Sequence, residues 1–140
     1  MKNIFIITLL LSSYLFSNDW DGDPCSIPDS PIGAGFIHLA EDGSVLYKSP
    51  ESIGGFQFNT GVNILSSSGG DAAEAGFTIQ AMGDLLLAFS LTGATIPEGC
   101  GTLTVLELDG EANELFSIVI SDAVGQQIYF EYFDGIIESE

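Results

Sequence analysis

The chain has 140 residues, of which 20 are acidic and 2 are basic, and its formal net charge is −18. A surface of this sign repels phosphate backbones, which excludes nucleic acid as a partner, and it also repels anionic lipid headgroups. The length suits a single domain with one hydrophobic core.

Residues 1–17 are predicted to be a secretory signal peptide. Lys2 gives the positive start, residues 4–16 form an apolar stretch, and Ser17 supplies a small residue at the cleavage point. The apolar stretch is shorter than the roughly 20 residues that a membrane-spanning helix needs. We therefore expect a secreted, extracellular protein of the bacterial type, with no membrane contact after signal removal.

Residues 18–31 are polar and contain three of the five prolines, which predicts an acidic, extended N-terminal tail. Cys25 lies in this tail and Cys100 lies in a later corner rich in glycine and proline. Two cysteines in an exported chain favour a disulfide, which would attach the tail to the domain. Free thiols or an intermolecular bridge are the alternatives.

Carboxylates alternate along the tail at Asp19, Asp21 and Asp23, as at the start of an EF-hand calcium loop. The rest of that pattern is missing, because Pro24 stands where the loop needs glycine and Ser30 stands where it needs glutamate. We therefore expect no resident cofactor and no metal site, with weak calcium binding as the alternative.

From residue 32 onward, short apolar runs are separated by turn signals every 8–12 residues, as is typical of an antiparallel sandwich. Asp42-Gly43 predicts a hairpin turn, residues 66–70 a loop, and residues 71–75 one helical turn capped by Asp71. The fold class is therefore all-β, a sandwich of about nine strands over residues 32–135, with a frayed C-terminus over 136–140. Strands are predicted at 35–40, 44–47, 55–60, 62–65, 77–81, 85–91, 102–108, 115–121 and 127–133.

Four segments, taken in chain order, resemble the cohesin domains of extracellular bacterial assemblies. Gly55-Phe56-Gln57-Phe58 is similar to a glycine-entered cohesin strand, and residues 74–77 are similar to a helical corner of that family. Residues 92–97 with 101–108, and then 118–123, resemble its later corner, long strand and final turn. The resemblance covers about residues 35–135. It implies a nine-stranded antiparallel jelly roll that binds a calcium-loaded dockerin module on one flat sheet face.

Alternation along the matching strands predicts which side chains would face that partner. With Phe56, Phe58, Phe89 and Phe116 assigned inward, the outward set is small and uncharged. A charge-free patch on an acidic protein suits docking because desolvating a charge is costly. An ordinary solvated sheet is the alternative. The predicted partner-binding residues are Gln57, Asn59, Thr78, Gln80, Ala88, Ser90, Ser117, Val119 and Ser121.

The sequence therefore favours a non-catalytic protein-binding module. No nucleophile elbow is present, and the single histidine, His38, is predicted to be packed against its strand neighbours. A carbohydrate-binding module is one alternative, with Tyr129 and Phe133 beside Glu131 as a small platform for a polysaccharide. A self-assembling extracellular subunit, whose tail adds a strand to a neighbour's sheet, is another.

Overall fold

The structure is a computed structural model, and it describes residues 20–137. Over these residues the chain forms ten strands, one short α-helix (α1, Gly70–Glu74) and a 3₁₀ turn at Pro24–Ser26. The strands are β1 Gly35–Leu39, β2 Ser44–Ser49, β3 Gly55–Asn59, β4 Ile64–Ser68, β5 Thr78–Met82, β6 Leu85–Phe89, β7 Gly99–Leu108, β8 Phe116–Ser121, β9 Gln127–Ile128 and β10 Phe130–Tyr132.

The strands pair into two five-stranded sheets that enclose the core. The tail-side sheet has the order β10-β1-β2-β7-β4, and the open sheet has the order β5-β6-β3-β8-β9. Neighbouring strands are antiparallel, except that β10 runs parallel to β1. The predicted all-β sandwich is confirmed.

Apolar side chains from both sheets meet between them. Ile37 and Val45 of the tail-side sheet and Phe58 and Leu86 of the open sheet are fully buried. The Phe58 ring stacks on Phe56 with a centroid separation of 6.1 Å. Each such side chain contributes about 1.5–3 kcal/mol of burial free energy, so this interior holds the two sheets together.

The predicted strand over 127–133 divides at Tyr129. The Gly35 N–H donates to the Tyr129 carbonyl at 2.9 Å, so β9 pairs with β8 in one sheet while β10 pairs with β1 in the other. Ile128 and Phe130 are both buried on either side of the exposed Tyr129. Buried and exposed residues therefore alternate without a break from Ile128 to Phe130, although the chain passes from one sheet to the other at Tyr129.

The loop predicted over 66–70 is wrong for its first three residues, because Ser66–Ser68 belong to the edge strand β4. This strand pairs with β7. A buried hydroxyl, Thr104 Oγ1, lies 2.7 Å from Ser67 Oγ and donates to the Ser68 carbonyl at 3.1 Å. The Ser67 side chain and the Ser68 carbonyl thus satisfy a polar group in the interior. The run of serines is typical of a loop in composition, although here it forms a strand.

The prediction that Asp71 caps α1 was wrong. The N-cap residue is Gly69, and no side chain bonds to the first turn. Asp71 Oδ2 instead accepts a hydrogen bond from the Tyr47 hydroxyl at 2.6 Å. Burial, together with this bond to the Asp71 carboxylate, raises the pKa of Tyr47 above its ordinary value. The contact attaches α1 to the tail-side sheet.

The predicted signal peptide lies outside the described residues. Within residues 20–137, no helix is both long enough and apolar enough to cross a bilayer.

Candidate functional site: an open sheet face

The tail packs on the outer face of the tail-side sheet. A disulfide joins Cys25 to Cys100 in β7, with a Cα–Cα distance of 5.2 Å, inside the usual range for a disulfide. Ile27 is only 1% exposed beside it. The Lys48 ammonium of β2 donates to the Ile27 carbonyl and forms an ion pair with Asp29 at 2.8 Å. One covalent bond and two polar contacts therefore hold the tail across β2 and β7.

An aromatic cluster anchors the start of the described tail. The Trp20 ring packs edge-on against His38 and Phe133, with centroids 4.8 and 5.1 Å away. Trp20 Nε1 donates to the Asp23 carbonyl at 3.0 Å. His38 Nδ1 lies 2.7 Å from the Phe133 carbonyl oxygen, which can only accept, so this nitrogen carries the proton. His38 is therefore a packed residue that helps to hold the tail on β1.

The tail carboxylates that the structure describes bond to their own chain. Asp21 Oδ1 accepts from the Ser26 hydroxyl at 2.6 Å and from the Asp23 N–H at 3.0 Å. These two bonds lower the pKa of Asp21. Asp23 Oδ1 accepts from the Cys25 N–H at 2.9 Å and caps the 3₁₀ turn. In residues 20–137 no group of three or more His, Cys, Asp or Glu side chains is arranged to hold a metal ion.

The open sheet carries its outer side chains in three rows, which we call the open face. Two residues that lie directly opposite each other on neighbouring strands point to the same side of the sheet. The four strands that form the face contain no charged residue. The rows, read from β5 through β6 and β3 to β8, are Met82-Leu85-Asn59-Phe116, Gln80-Leu87-Gln57-Val119 and Thr78-Phe89-Gly55-Ser121.

The assignment of Ala88 to the outer face was wrong. Ala88 is 1% exposed and lies opposite Phe56 on the core side, so Leu85, Leu87 and Phe89 point outward. Strand β6 reads Leu-Leu-Leu-Ala-Phe and has no polar residue to mark its solvent side. Either assignment of inward and outward residues along β6 was therefore compatible with the sequence.

Ser90 also falls outside the open face. It follows the last residue of β6 and has the parity of the core-facing Ala88. Its hydroxyl accepts a hydrogen bond from the Thr92 N–H at 3.3 Å. Ser90 thus belongs to the loop after β6, and its predicted place on the face was wrong.

A β-bulge changes the side to which β8 presents its first residue. Gln57 pairs with Val119, whereas Asn59 pairs with Phe116, so β8 holds one residue more than β3 between these pairs. Ser117 has φ +53°, the left-handed conformation that a bulge can require. Phe116 is consequently 44% exposed on the open face, and its inward assignment was wrong. Ser117 is exposed, but it lies in the bulge instead of in one of the rows.

The six other predicted residues lie on the open face, around an apolar centre. Leu85, Leu87 and Phe89 form a partly exposed stripe along β6. The amides of Gln57 and Gln80 flank its middle on either side, and each can form hydrogen bonds with a docked molecule. The six are Gln57, Asn59, Thr78, Gln80, Val119 and Ser121.

The apolar stripe was not predicted from the sequence, although the turn between β5 and β6 indicates it. Gly83-Asp84 is a two-residue hairpin loop, which sets Met82 opposite Leu85. Counting back from this turn places Gln80 opposite Leu87 and on the same side of the sheet. Once Gln80 is taken to face solvent, Leu87 must face solvent too.

The aromatic platform considered for a sugar does not form as a pair. Phe133 is 8% exposed inside the Trp20 cluster, whereas Tyr129 is 57% exposed. The Tyr129 hydroxyl donates to Glu131 Oε2 at 3.1 Å. Of the two rings, only that of Tyr129 is exposed, so the predicted pair offers a sugar one ring for stacking.

A cavity of about 580 Å³ lies between the β1–β2 turn and the loop after β7. Glu41, Asp42, Glu107 and Glu111 line it, so its charge is negative. It opens at the end of the tail-side sheet, and none of the residues of the open face contributes to it.

The fold and the face define the class of the molecule: a β-sandwich with one sheet face partly covered by the tail and the other uncharged and open. No family model and no curated protein matches the chain. In structure the chain is similar to a non-cellulosomal cohesin from the hyperthermophilic archaeon Archaeoglobus fulgidus, with 14% identity and a TM-score of 0.49. The similarity covers 71% of this chain and 86% of that one.

Proposed function

We propose that this protein is an exported, non-catalytic binding module that docks a protein partner on the open face. The observation that carries the proposal is the absence of charge from all four strands of the face, in a chain whose net charge is −18. The sequence resemblance to cohesins favours a dockerin-like module as the partner class.

The composition of the open face suits a protein interface. The centres of such interfaces are depleted in charge and enriched in aromatic residues and methionine. Phe116, Val119 and Met82 are 44, 42 and 51% exposed on this face. Covering these side chains removes apolar surface from water at about 25 cal/mol per Å², with no charge to desolvate.

The position of the tail on the other sheet supports the choice of face. The segment from Trp20 to Asp29 lies against β1, β2 and β7 and is fixed there by the disulfide. A partner would have to displace this segment to reach the residues beneath it. Docking on the open sheet requires no such rearrangement.

Export is part of the proposal and rests on the predicted signal peptide. The Cys25–Cys100 disulfide is consistent with export, since disulfides persist in oxidising compartments. Secretion is tested by N-terminal sequencing of the protein from the medium, which should begin at residue 18. A protein retained in cells with residues 1–17 attached would contradict export.

Site-specific photocrosslinking tests the docking proposal. Leu87 is replaced by the photoreactive residue p-benzoylphenylalanine, and the matched control carries it at Val105, a partly exposed residue of β7 on the other sheet. Both proteins are irradiated in the secreted fraction of the source organism. We expect one protein to be captured from position 87 and none from position 105.

A competition experiment shows whether the capture depends on the face. Unlabelled wild-type protein should suppress the crosslink at position 87, whereas a Leu87→Ser, Phe89→Ser variant should not. Equal capture from positions 87 and 105, or equal competition by both proteins, would contradict docking on the open face.

A further inference from the structure

Strand β5 lies at an edge of the open sheet, and its outer side has no partner. Its register with β6 sets Met82 opposite Leu85, on either side of the Gly83-Asp84 turn. In a two-residue hairpin the residues that flank the turn exchange two backbone hydrogen bonds, and this pattern recurs at every second residue. The N–H and C=O groups of Ile79 and Ala81 therefore point away from β6. Within residues 20–137 none of these four groups has a hydrogen-bond partner.

The other edge strands of the two sheets are protected in ways that β5 is not. Strands β9 and β10 have two and three residues, and β10 contains Glu131. Strand β4 contains a bulge, because its pairing with β7 shifts between Ile64 and Ser66. Short length, charge and bulges are means by which sheet edges avoid pairing with other chains. Strand β5 has five residues in regular register with β6, and no charged residue occurs from 75 to 83.

The side chains along this edge are neutral and open to solvent. None of the five residues of β5 is buried, and Met82 is 51% exposed at one end. Leu65 lies beside that end, because the preceding residue, Ile64, donates its N–H to the Gly83 carbonyl at 2.8 Å. The Leu65 side chain is 57% exposed. A strand added to β5 would therefore gain backbone hydrogen bonds and also cover apolar surface.

We propose that the free edge of β5 pairs with the same edge of a second copy of this chain, so that the two open sheets continue into one sheet of ten strands. A two-fold axis at Gln80 sets Ile79 of one copy opposite Ala81 of the other, and the two such pairs form four backbone hydrogen bonds. A neutral edge suits a neutral strand, and β5 is one. The amides of the two Gln80 side chains meet at the axis, where each can both donate and accept.

The dimer leaves the proposed docking surface accessible. Residues opposite each other across the new junction point to the same side of the sheet, so the two open faces lie next to each other. Self-association is a separate property from docking, because it uses the backbone edge of β5 instead of the outer side chains of β6 and β3.

The net charge of −18 determines when this pairing forms. Two copies repel each other in about 20 mM salt, where charges act over about 20 Å, whereas in about 0.5 M salt this range falls to about 4 Å. The contact between two five-residue strands is also smaller than the interface of a stable dimer. We therefore expect a weak dimer that forms in salty surroundings and dissociates when salt is removed.

Sedimentation equilibrium of the oxidised protein measures the pairing. The protein is loaded at about 0.05 to 1 mM, in about 20 mM and about 0.5 M sodium chloride. We expect the association constant of the dimer to be at least about tenfold larger at the higher salt concentration. A protein that stays monomeric under all of these conditions would overturn the proposal and leave the edge to a strand of another protein. Equal association at both salt concentrations would overturn it as well.

A matched pair of charge variants shows whether the contact is at β5. Gln80→Glu sets two carboxylates opposite each other at the axis, about 5 Å apart. Gln57→Glu adds the same charge in the same row of β3, about 24 Å from its counterpart in the other copy. In about 0.5 M salt we expect Gln80→Glu to weaken dimerisation at least about fivefold and Gln57→Glu by less than about twofold. Circular dichroism verifies that both variants are folded, and equal effects would contradict pairing through β5.

Cysteine at the same two positions tests the register. Opposite residues of a non-hydrogen-bonded antiparallel pair have Cα atoms about 4.5 Å apart, a distance that a disulfide can bridge. With oxidised glutathione as the oxidant, we expect a covalent dimer of Gln80→Cys on a non-reducing gel and none of Gln57→Cys. Covalent dimers of both variants, or of neither while the wild-type protein dimerises, would overturn antiparallel pairing about Gln80.

Discussion

Removing the disulfide gives the largest stability change that the structure allows us to calculate. Cys25 and Cys100 are 75 positions apart. In the chain-entropy model, closing a loop of this length removes about 15 cal/mol/K of entropy from the unfolded chain, or about 4.5 kcal/mol at 25 °C. Cys25 is exposed and Cys100 partly exposed, so serine at both positions leaves no buried polar group. We therefore expect Cys25→Ser, Cys100→Ser to lose about 4.5 kcal/mol of unfolding free energy.

Urea unfolding followed by tryptophan fluorescence and by circular dichroism measures this loss. With an m-value of about 1.5 kcal/mol/M, the midpoint should fall by about 3 M. The wild-type protein with a dithiol reductant is the matched control and should give the same curve as the double variant. A decrease below about 1 kcal/mol at unchanged m would refute the reasoning, because the bridge would then not restrict the unfolded chain.

Three further substitutions test local features of the structure. Ala88→Leu should cost about 1–3 kcal/mol by overpacking the core, whereas Leu87→Ala on the open face should cost less than about 1 kcal/mol; equal costs in urea unfolding would contradict the orientation of β6. Tyr47→Phe removes the 2.6 Å bond to Asp71 and should cost about 1–3 kcal/mol at neutral pH. Because the pKa of Tyr47 is raised in the folded state, its contribution is present below the unfolded pKa of about 10 and is lost as pH rises above it. The variant should therefore lose less stability than wild type between about pH 9 and 11.5, and parallel pH profiles would count against this. Ser117→Gly should raise the free energy of unfolding by about 0.5–1 kcal/mol, because glycine adopts the left-handed conformation of the bulge without strain. A lower free energy of unfolding in the variant would reject strain at this position.

The sandwich could be predicted from sequence because several strands mark their own solvent side. In β3 the order Phe56-Gln57-Phe58 places a polar residue between two aromatic ones, so the buried face is evident. The short turns between strands then fix the antiparallel arrangement, as Asp42-Gly43 does. The alternation of apolar and polar residues was therefore sufficient to predict the buried face of each strand whose other face is polar.

The site was harder to predict because its apolar residues lie on strands with two apolar faces or with irregular pairing. Strand β6 has no polar residue before its end, and its orientation follows from the register across the Gly83-Asp84 turn. In β8 the bulge at Ser117 reverses the alternation, and serine gives little warning of a positive φ. An uncharged face was therefore predictable, whereas its apolar stripe was not.

The disulfide also determines which strands would carry a mechanical load. Tension applied between the tail and the C-terminus passes through Cys25 and Cys100, so the segment between them, which contains β1 to β6, is bypassed by the force. Only the strands from β7 onward can then be extended. The 75-residue segment inside the bridge, about 260 Å when fully extended, cannot be stretched while the bond is intact. Force spectroscopy should accordingly show a contour length that increases by this amount when a reductant is added. In the oxidised protein β3 and β6, which form the centre of the open face, lie outside the load path.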